Sequence, residues 1–328
     1  YNRAESFLPS LLGQNGPQTY LILPQNDSEL FPSGGLISSY GIVTFDHARL
    51  SSMQFEYFGT LYDRWQRQSG GEYVEPPGPL KRYLLGNFSW ALGEAGWYPD
   101  FPTTAKLAQD FVGKGGAPAT QGTIAVDLQF MGALLRQLGP VAVPEFGVTV
   151  DANNFDELAL QFTRDELYMY EGPRKAFLSF LAKGVVDKLF ETPRESWVDL
   201  LKVFDTMGRE RHLQMNFQDP RLQDLTTEYG FSGAMVQTDG DFLMLADTSV
   251  RSTKLNLILE PSASVDVQLN TNGSVRTLVS YSILNPFPTW ARGKDPALVQ
   301  TLMLGGLYGC YLRTYTNPDA VLRDVRVD

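Results

Sequence analysis

The sequence is poor in the residues that build disulfides and metal sites. Its 328 residues include one cysteine, Cys310, and two histidines, His47 and His212, which lie far apart in the chain. A single thiol excludes an intrachain disulfide and a thiolate metal cluster, and neither histidine sits in a metal-ligand spacing. Zinc chemistry and a Ser–His triad therefore have little support. One thiol is compatible with the cytosol and with the surface of a monoderm bacterium, so the compartment stays open.

Basic clusters and long apolar runs are also missing. The formal net charge is −10 and no Lys/Arg cluster occurs, so we expect no nucleic-acid partner. An acidic surface is also repelled by anionic lipid headgroups unless a separate anchor holds it there. No apolar run approaches the roughly 18 residues that a bilayer span requires. The chain opens without a signal peptide, and residues 1–16 read as the end of a preceding helical segment, which predicts a fragment of a longer protein.

The order of the apolar segments predicts an α/β fold, with a mixed central sheet flanked by helices. Apolar β-prone runs at 20–23 and 36–45 indicate the first two strands. The stretch GTIAVD, residues 122–127, indicates a buried strand, and a helix at 128–138 follows it. A further β-prone run, VAVP, comes next, and this strand–helix–strand order predicts a right-handed crossover.

The character of the sequence changes near residue 231, where helical periodicity gives way to strand-like runs. Thr271-Asn272-Gly273 separates two alternating runs and predicts a β-hairpin. We therefore expect an α/β domain at 17–230 and a β-rich C-terminal domain or layer at 231–328.

The loop between the first two strands is the first candidate binding site. It reads PQNDSELFPSGG and contains Asn26, Glu29, Gly34 and Gly35. A glycine pair lets backbone N–H groups come close to a ligand, and it equally supplies a tight turn in an α/β core. The turn is the favoured interpretation, and substrate binding is the alternative.

Two aspartates and a tryptophan form a second set of candidates. Asp100 lies between two prolines that fix the backbone on either side of it, and Trp97 lies close by. Asp127 ends a strand, where open sheets place their ligands. Each carboxylate is predicted with equal weight to be an N-cap or a functional group of a binding site. Trp97 fits the core better, although it also suits stacking on a saccharide.

Arg174 is a third candidate because of its place in a helix. It lies with Lys175 at the N-terminal end of the apolar-faced segment RKAFLSFLAKGVVDKLF. A cation at this end opposes the helix dipole, which points to an anionic ligand. The penalty is at most about 1 kcal/mol, so chance placement remains an alternative.

Several of these segments together resemble one bacterial family, the domain of unknown function 4012. The family loop Q-N-x-x-E-L-R-x-T-G-G-F is matched at Gln25, Asn26, Glu29, Leu30, Gly34 and Gly35. The segment GWYPDFP at 96–102 is similar to the family's N-W-x-P-D-F-P, and 121–127 is similar to its D-G-V-I-A-x-D strand. The R-K-A-F-L helix is present at 174–178. At 239–256, DGDFLMLADTSVRSTKLN resembles the family segment that ends in K-x-N.

The resemblance implies an extracytoplasmic cell-surface protein, anchored by an N-terminal transmembrane segment that lies outside this chain. The family's motif order is also distantly similar to the LytR-CpsA-Psr phosphotransferases, which transfer glycopolymers from a polyprenyl diphosphate carrier. That likeness implies phosphate contact by Arg174, catalytic or magnesium-binding roles for Asp100 and Asp127, and substrate contacts at Asn26, Glu29, Gly34, Gly35 and Trp97. Envelope glycopolymers, polyprenyl-phosphate lipids and other surface-protein subunits are the implied partners.

The sequence also departs from the family pattern. Phe31 stands where the family loop has arginine, Gly96 replaces an asparagine, and Ser249 replaces another. A neutral ring cannot neutralise a diphosphate. These departures favour the alternative function, a non-catalytic structural or interaction module of a cell-surface assembly.

Overall fold

The computed structural model describes residues 9–155, 157–158, 175–236, 238–294, 296, 299 and 304–327. The strands are β1 (Gln18–Pro24), β2 (Ser39–Asp46), β3 (Arg49–Tyr57), β4 (Gly122–Val126), β5 (Val141–Val143), β6 (Val148–Val150), β7 (Leu213–Phe217), β8 (Leu243–Ala246), β9 (Glu260–Leu269), β10 (Val275–Leu284) and β11 (Arg313–Thr316). The helices are α1 (Phe58–Ser69), α2 (Phe101–Lys114), α3 (Leu128–Leu138), α4 (Lys175–Glu191), α5 (Trp197–Arg209), α6 (Pro220–Glu228) and the short α7 (Phe287–Trp290). Shorter helical turns cover Gly78–Leu80, Lys81–Leu85, Leu92–Trp97, Pro144–Phe146, Arg194–Ser196, Leu255–Leu257 and Leu304–Gly306.

A five-stranded mixed sheet forms the centre of the fold. Its strand order is β3-β2-β1-β4-β7. Strands β1 and β4 are parallel, with Pro24 opposite Val126, whereas the other pairs are antiparallel. The predicted mixed central sheet is therefore confirmed.

Helices cover both faces of this sheet because its strands alternate apolar side chains between the two sides. On one face, Leu21, Leu23 and Ala125 pack against α1, α2 and the aromatic stretch that precedes α2. On the other face, Ile124 and Met215 meet a core formed by α3, α4 and α5. The four-residue apolar spacing that predicted α4 is confirmed, since Phe177, Leu181 and Val185 are buried and Leu189 is partly buried in this core. No helix among the described residues is long and apolar enough to cross a bilayer.

One detail of the predicted α/β domain is wrong. The run VAVP does form β5, but β5 pairs with β6 in a separate two-stranded sheet. The expected crossover therefore does not occur, and the outer neighbour of β4 is β7, which is antiparallel to it. The predicted helix at about 154–170 lies mostly outside the described residues.

The C-terminal region is rich in strands, as the sequence predicts. Strands β8 and β11 pair with each other, and β9 and β10 form the predicted hairpin, with Val275 opposite Leu269. Gly273 takes a positive φ of 81° in the connecting turn, a conformation that glycine adopts without strain. The boundary near residue 230 stays a prediction.

A buried ion pair joins this C-terminal region to the loop between β1 and β2. Lys254 Nζ donates to Glu29 Oε1 at 2.6 Å, and the two side chains are only 8% and 14% exposed. Asn26 Nδ2 donates to the same carboxylate oxygen at 3.1 Å. Two residues further on, Asn256 Oδ1 accepts from the Leu30 backbone N–H. We refer to Asn26, Glu29, Lys254 and Asn256 as the loop clasp.

We expect Lys254→Met to lower the free energy of unfolding by about 3–5 kcal/mol, because it leaves the Glu29 carboxylate buried without its cation. The double variant Glu29→Gln/Lys254→Met removes both charges and should recover most of that loss. Lys202→Met is the matched control, since Lys202 pairs with Asp199 on the exposed surface of α5 and should leave stability nearly unchanged. Denaturant unfolding followed by circular dichroism measures all three. Equal stability of the single and double variants would contradict this prediction.

Candidate functional site

Polar residues gather at the sheet edge where β1 and β4 end. Gln25 follows β1, and its backbone N–H donates to Val126 O at 2.8 Å. Asp127 follows β4, and His212 directly precedes β7, which begins opposite Val126. The Asp127 backbone N–H in turn donates to His212 O at 3.3 Å. Carboxyl ends of parallel strands are the usual ligand edge of an open α/β sheet, so this is the candidate site.

Asp127 has two roles at this edge. Its Oδ1 accepts from the Phe130 N–H at 2.9 Å and caps the N-terminus of α3. Its Oδ2 lies 2.7 Å from His212 Nδ1. Asp127 is therefore a helix cap that also contacts a titratable group, and its acid/base or metal-binding role stays a prediction.

His212 is a residue of this edge that the sequence analysis set aside. Its hydrogen bond to Asp127 raises its pKa, and the nearby charges of Asp127, Asp27 and Glu210 act in the same direction against the effect of burial. Its other ring nitrogen, Nε2, lies 4.0 Å from Glu210 Oε2, and the side chain is partly exposed. A carboxylate-held imidazole of this kind can take up and release a proton near neutral pH.

Asp100 is a helix cap. Its Oδ2 accepts from the Thr103 N–H at 3.1 Å and from Thr103 Oγ1 at 2.6 Å, at the start of α2. Its Oδ1 accepts from the Met235 N–H at 3.0 Å. Both oxygens thus stabilise the backbone. The charge of Asp100 also acts on Arg211, whose pKa burial lowers. An acid/base role for Asp100 stays a prediction, and these contacts do not add to it.

The β1–β2 loop is packed against the protein by its own polar groups. Asn26 and Glu29 belong to the loop clasp. A Cβ on Gly35 would lie 2.2 Å from Asn26 O, and one on Gly34 would lie 2.2 Å from Gln25 Oε1. The glycines therefore serve a close approach of the loop to itself. Substrate contact by these four residues stays a prediction.

Two departures from the family pattern are neighbours in the fold. Phe31 is only 2% exposed and belongs to the core beside Trp97. A Cβ on Gly96 would lie 3.3 Å from Phe31 Cβ and 2.9 Å from Ser33 Oγ. A larger residue at 96 would displace this packing, so Phe31 and Gly96 fit each other. The third departure, Ser249, is also buried, and its N–H donates to Leu30 O at 2.9 Å.

Two predicted site residues remain, Trp97 and Arg174. Trp97 is 3% exposed, and Arg313 and Tyr311 lie against its ring. Saccharide contact by Trp97 stays a prediction. Arg174 lies outside the described residues, and its phosphate contact stays a prediction.

The distant family likeness implies a magnesium ion, with Asp100 and Asp127 as its candidate ligands. Asp100 and Asp127 cap different helices, and the described part of the chain holds no group of three or more His, Cys, Asp or Glu side chains that could bind a metal ion.

Sequence reasoning missed His212 because its role depends on the pairing of β4 with β7. The run LQMNF at 213–217 is the signal that could have revealed it. A strand assigned there places the preceding histidine at a sheet edge. Lys254 and Asn256 were visible as the K-x-N of the family segment, but their partners in the loop lie more than 200 residues away in the chain.

We expect Asp127→Asn to lower the pKa of His212 toward the ordinary value of about 6.5, while asparagine keeps the N-cap of α3. The folded-state pKa is raised, so the Asp127–His212 pair stabilises the wild type fully below the unfolded-state pKa. This contribution disappears as the pH rises through the folded-state pKa. Proton NMR of the two histidine rings measures the pKa, with a His212→Asn variant to assign them. Asp100→Asn is the matched control, and a His212 pKa unchanged by Asp127→Asn would contradict the prediction.

Comparison with known proteins gives one family and several distant structures. The model of a family described as a protein of unknown function (DUF4012) matches residues 15–168. Comparison with curated proteins found no match. The Lin1025 protein from Listeria innocua is similar at 11% identity and a TM-score of 0.35, over 81% of this chain and 92% of that chain.

Two Bacillus subtilis structures are similar at the same level. TagV has 13% identity and a TM-score of 0.36, over 70% of this chain and 87% of that chain. The transcriptional regulator YvhJ has 13% identity and a TM-score of 0.31, over 70% of this chain and 85% of that chain. Similarity this distant does not extend to what a protein binds or catalyses. The family resemblance is confirmed where the family model matches, over residues 15–168.

Proposed function

We propose that this protein is a non-catalytic interaction module of a cell-surface assembly, and that it joins a second copy of itself through the hairpin β9–β10. The observation that carries the proposal is the uncovered apolar face of this hairpin. The extracytoplasmic location and the membrane anchor rest on the family resemblance and are part of the proposal.

The hairpin is amphipathic. Paired strands alternate their side chains, so Val265, Val267, Leu269, Val275 and Thr277 share one face. The other face carries Asp266, Arg276 and several serines. Near the base, Val279, Tyr281 and Ile283 are half-buried, and the Tyr281 hydroxyl donates to Asp247 Oδ2. Toward the tip the apolar face is open, with Val267 57% exposed.

Such a hairpin needs a partner. An isolated two-stranded ribbon is at best marginally stable in water, and a sheet buries its apolar face against another element. Contiguous exposed apolar surface is typical of protein-interaction sites. Within the described part of the chain, nothing covers this tip.

A second copy is the partner that fits best. Two identical apolar faces are complementary under a two-fold axis. A chain with a net charge of −10 repels its own copies, but this face carries no charge that would add to the repulsion. Two strands of ten residues cover about 34 by 10 Å, or roughly 700 Å² for the pair of copies. That area is below the roughly 1,200 Å² of stable interfaces, so we expect weak, concentration-dependent pairing that gains strength in an array.

A second candidate function is glycopolymer or polyprenyl-phosphate handling by the sheet edge. The Asp127–His212 pair favours it, because a raised pKa favours the protonated imidazole, which is a cation and a proton donor. Mass spectrometry of the purified protein for copurified polyprenyl phosphate tests this candidate. Absence of the lipid in a preparation that still self-associates would favour the assembly role alone.

We expect Val267→Lys to abolish self-association, because it buries a charge between the two apolar faces. Leu278→Lys is the matched control. Leu278 is 59% exposed and lies on the other, polar face of the hairpin, where its cross-strand partner is Asp266. Sedimentation velocity over a wide concentration range should show a weak dimer for the wild type and for Leu278→Lys, and a monomer for Val267→Lys. A wild type that stays monomeric throughout, or two variants that behave alike, would refute the pairing.

A further inference from the structure

Helix α5 ends in a Schellman motif that has arginine where glycine is usual. The His212 N–H donates to Met207 O at 2.8 Å, and the Arg211 N–H donates to Gly208 O at 3.0 Å. This pair of hydrogen bonds closes the C-terminus of a helix around one residue in the left-handed conformation. That residue is Arg211, with a φ of 67°. A side chain is strained in this conformation and glycine is not, so the backbone alone does not favour arginine here.

The contacts of the Arg211 side chain lie far from the helix that it ends. Its Nη2 donates to Pro99 O at 2.5 Å and also to Gly233 O. The segments that carry these two carbonyl groups are bound to each other at the start of α2, where the Phe101 N–H donates to Gly233 O at 3.1 Å. The guanidinium therefore anchors the turn after α5 to a part of the fold that is already held in place.

The turn that Arg211 anchors carries His212 to the sheet edge. His212 comes between Arg211 and β7, its carbonyl accepts from the Asp127 N–H at 3.3 Å, and its ring Nδ1 lies 2.7 Å from Asp127 Oδ2. An ionised carboxylate only accepts hydrogen bonds, so Nδ1 carries a proton. Nε2 is then the ring atom that exchanges a proton with a ligand or with water. Because consecutive residues share a rigid peptide plane, the direction of the imidazole depends on the backbone angles of Arg211.

Arginine at this position is costly in two ways. Its backbone is left-handed, and burial lowers the pKa of its guanidinium while the charge of Asp100 acts in the opposite direction. Glycine would close the same helix end without either cost. Strained backbone that distant contacts hold in place is typical of functional positions. The arginine is therefore better explained by what its side chain holds than by the helix end itself.

We propose that Arg211 is the positioning residue of the Asp127–His212 pair. Its guanidinium holds the turn between α5 and β7 against the carbonyl groups of Pro99 and Gly233. The turn directs Nδ1 of the imidazole to the Asp127 carboxylate and leaves Nε2 to exchange protons. Neither hairpin pairing nor a bound ligand is needed for this role or for its test.

The test compares Arg211→Gly with Ala48→Gly. The first variant removes the guanidinium and relieves the strained backbone, so the helix end is preserved. Ala48 also has a positive φ, of 59°, in the exposed turn between β2 and β3. Its replacement relieves strain without touching the sheet edge. Nitrogen-15 NMR of the ring at mildly alkaline pH, where the neutral imidazole has one N–H, reports which nitrogen carries the proton, and His212→Asn assigns the signals.

We expect the wild type and Ala48→Gly to show the Nδ1–H form of His212. Arg211→Gly should populate the Nε2–H form, and its Nδ1–H proton should exchange with water roughly ten- to hundredfold faster, the usual effect of losing a hydrogen bond to a charged group. An Arg211→Gly variant that keeps the wild-type tautomer and exchange rate would overturn the proposal.

Thermal unfolding separates positioning from a purely structural role. A purely structural arginine would give Arg211→Gly a lower melting temperature and an unchanged His212 ring signature. In the unsubstituted protein, the Nη hydrogens of Arg211 should give separate, slowly averaged NMR signals, because two carbonyl groups restrain rotation of the guanidinium. This measurement holds even if the glycine variant does not fold, and a single averaged Nη signal would also overturn the proposal.

Discussion

The loop clasp is the constraint on which the rest of the structure depends. The loop between β1 and β2 buries Phe31 and Ile37 in the core, and its polar groups are held by separate contacts. Lys254 and Asn256 hold it from the outside. On the inside, Gln25 Nε2 donates to Ser33 Oγ, and Gln214 Nε2 donates to Ser33 O. An ion pair this buried must be complete to be tolerated. The C-terminal region therefore stabilises the first loop of the sheet.

Much of the fold could be predicted from the sequence where local pattern decides it. Helix α3 has the predicted bounds, and the β9–β10 hairpin follows from the Asn272-Gly273 turn and alternating strands. Strand β5 was predicted correctly as a strand, but its pairing was predicted wrongly. Whether β5 or β7 borders β4 depends on pairing between distant segments, which a local pattern does not encode. The loop clasp could not be predicted for the same reason, since 225 residues separate its two charged members.

Asp100 and Asp127 illustrate why the candidate site was harder to predict than the fold. Both have the same local signature, an aspartate just before a helix, and both are N-caps. The difference lies in the second oxygen. That of Asp100 accepts from a backbone N–H at Met235, whereas that of Asp127 contacts the imidazole of His212. His212, next to strand β7, makes Asp127 part of a candidate acid–base pair. Asp100 has no such neighbour in its described contacts and acts as a cap.

The position of the arginine in the DUF4012 loop pattern is occupied by a neutral residue in this chain. The chain lacks the arginine of the DUF4012 loop pattern that it resembles, and Phe31 fills that place with a buried ring. Yet a cation is present nearby in space, because Thr248 accepts from Arg313 while the next residue, Ser249, donates to Leu30. The guanidinium reaches this region from β11 instead of from the loop. Loss of a motif residue is therefore weak evidence that a site has lost its charge, because the fold can supply the same group from a distant strand.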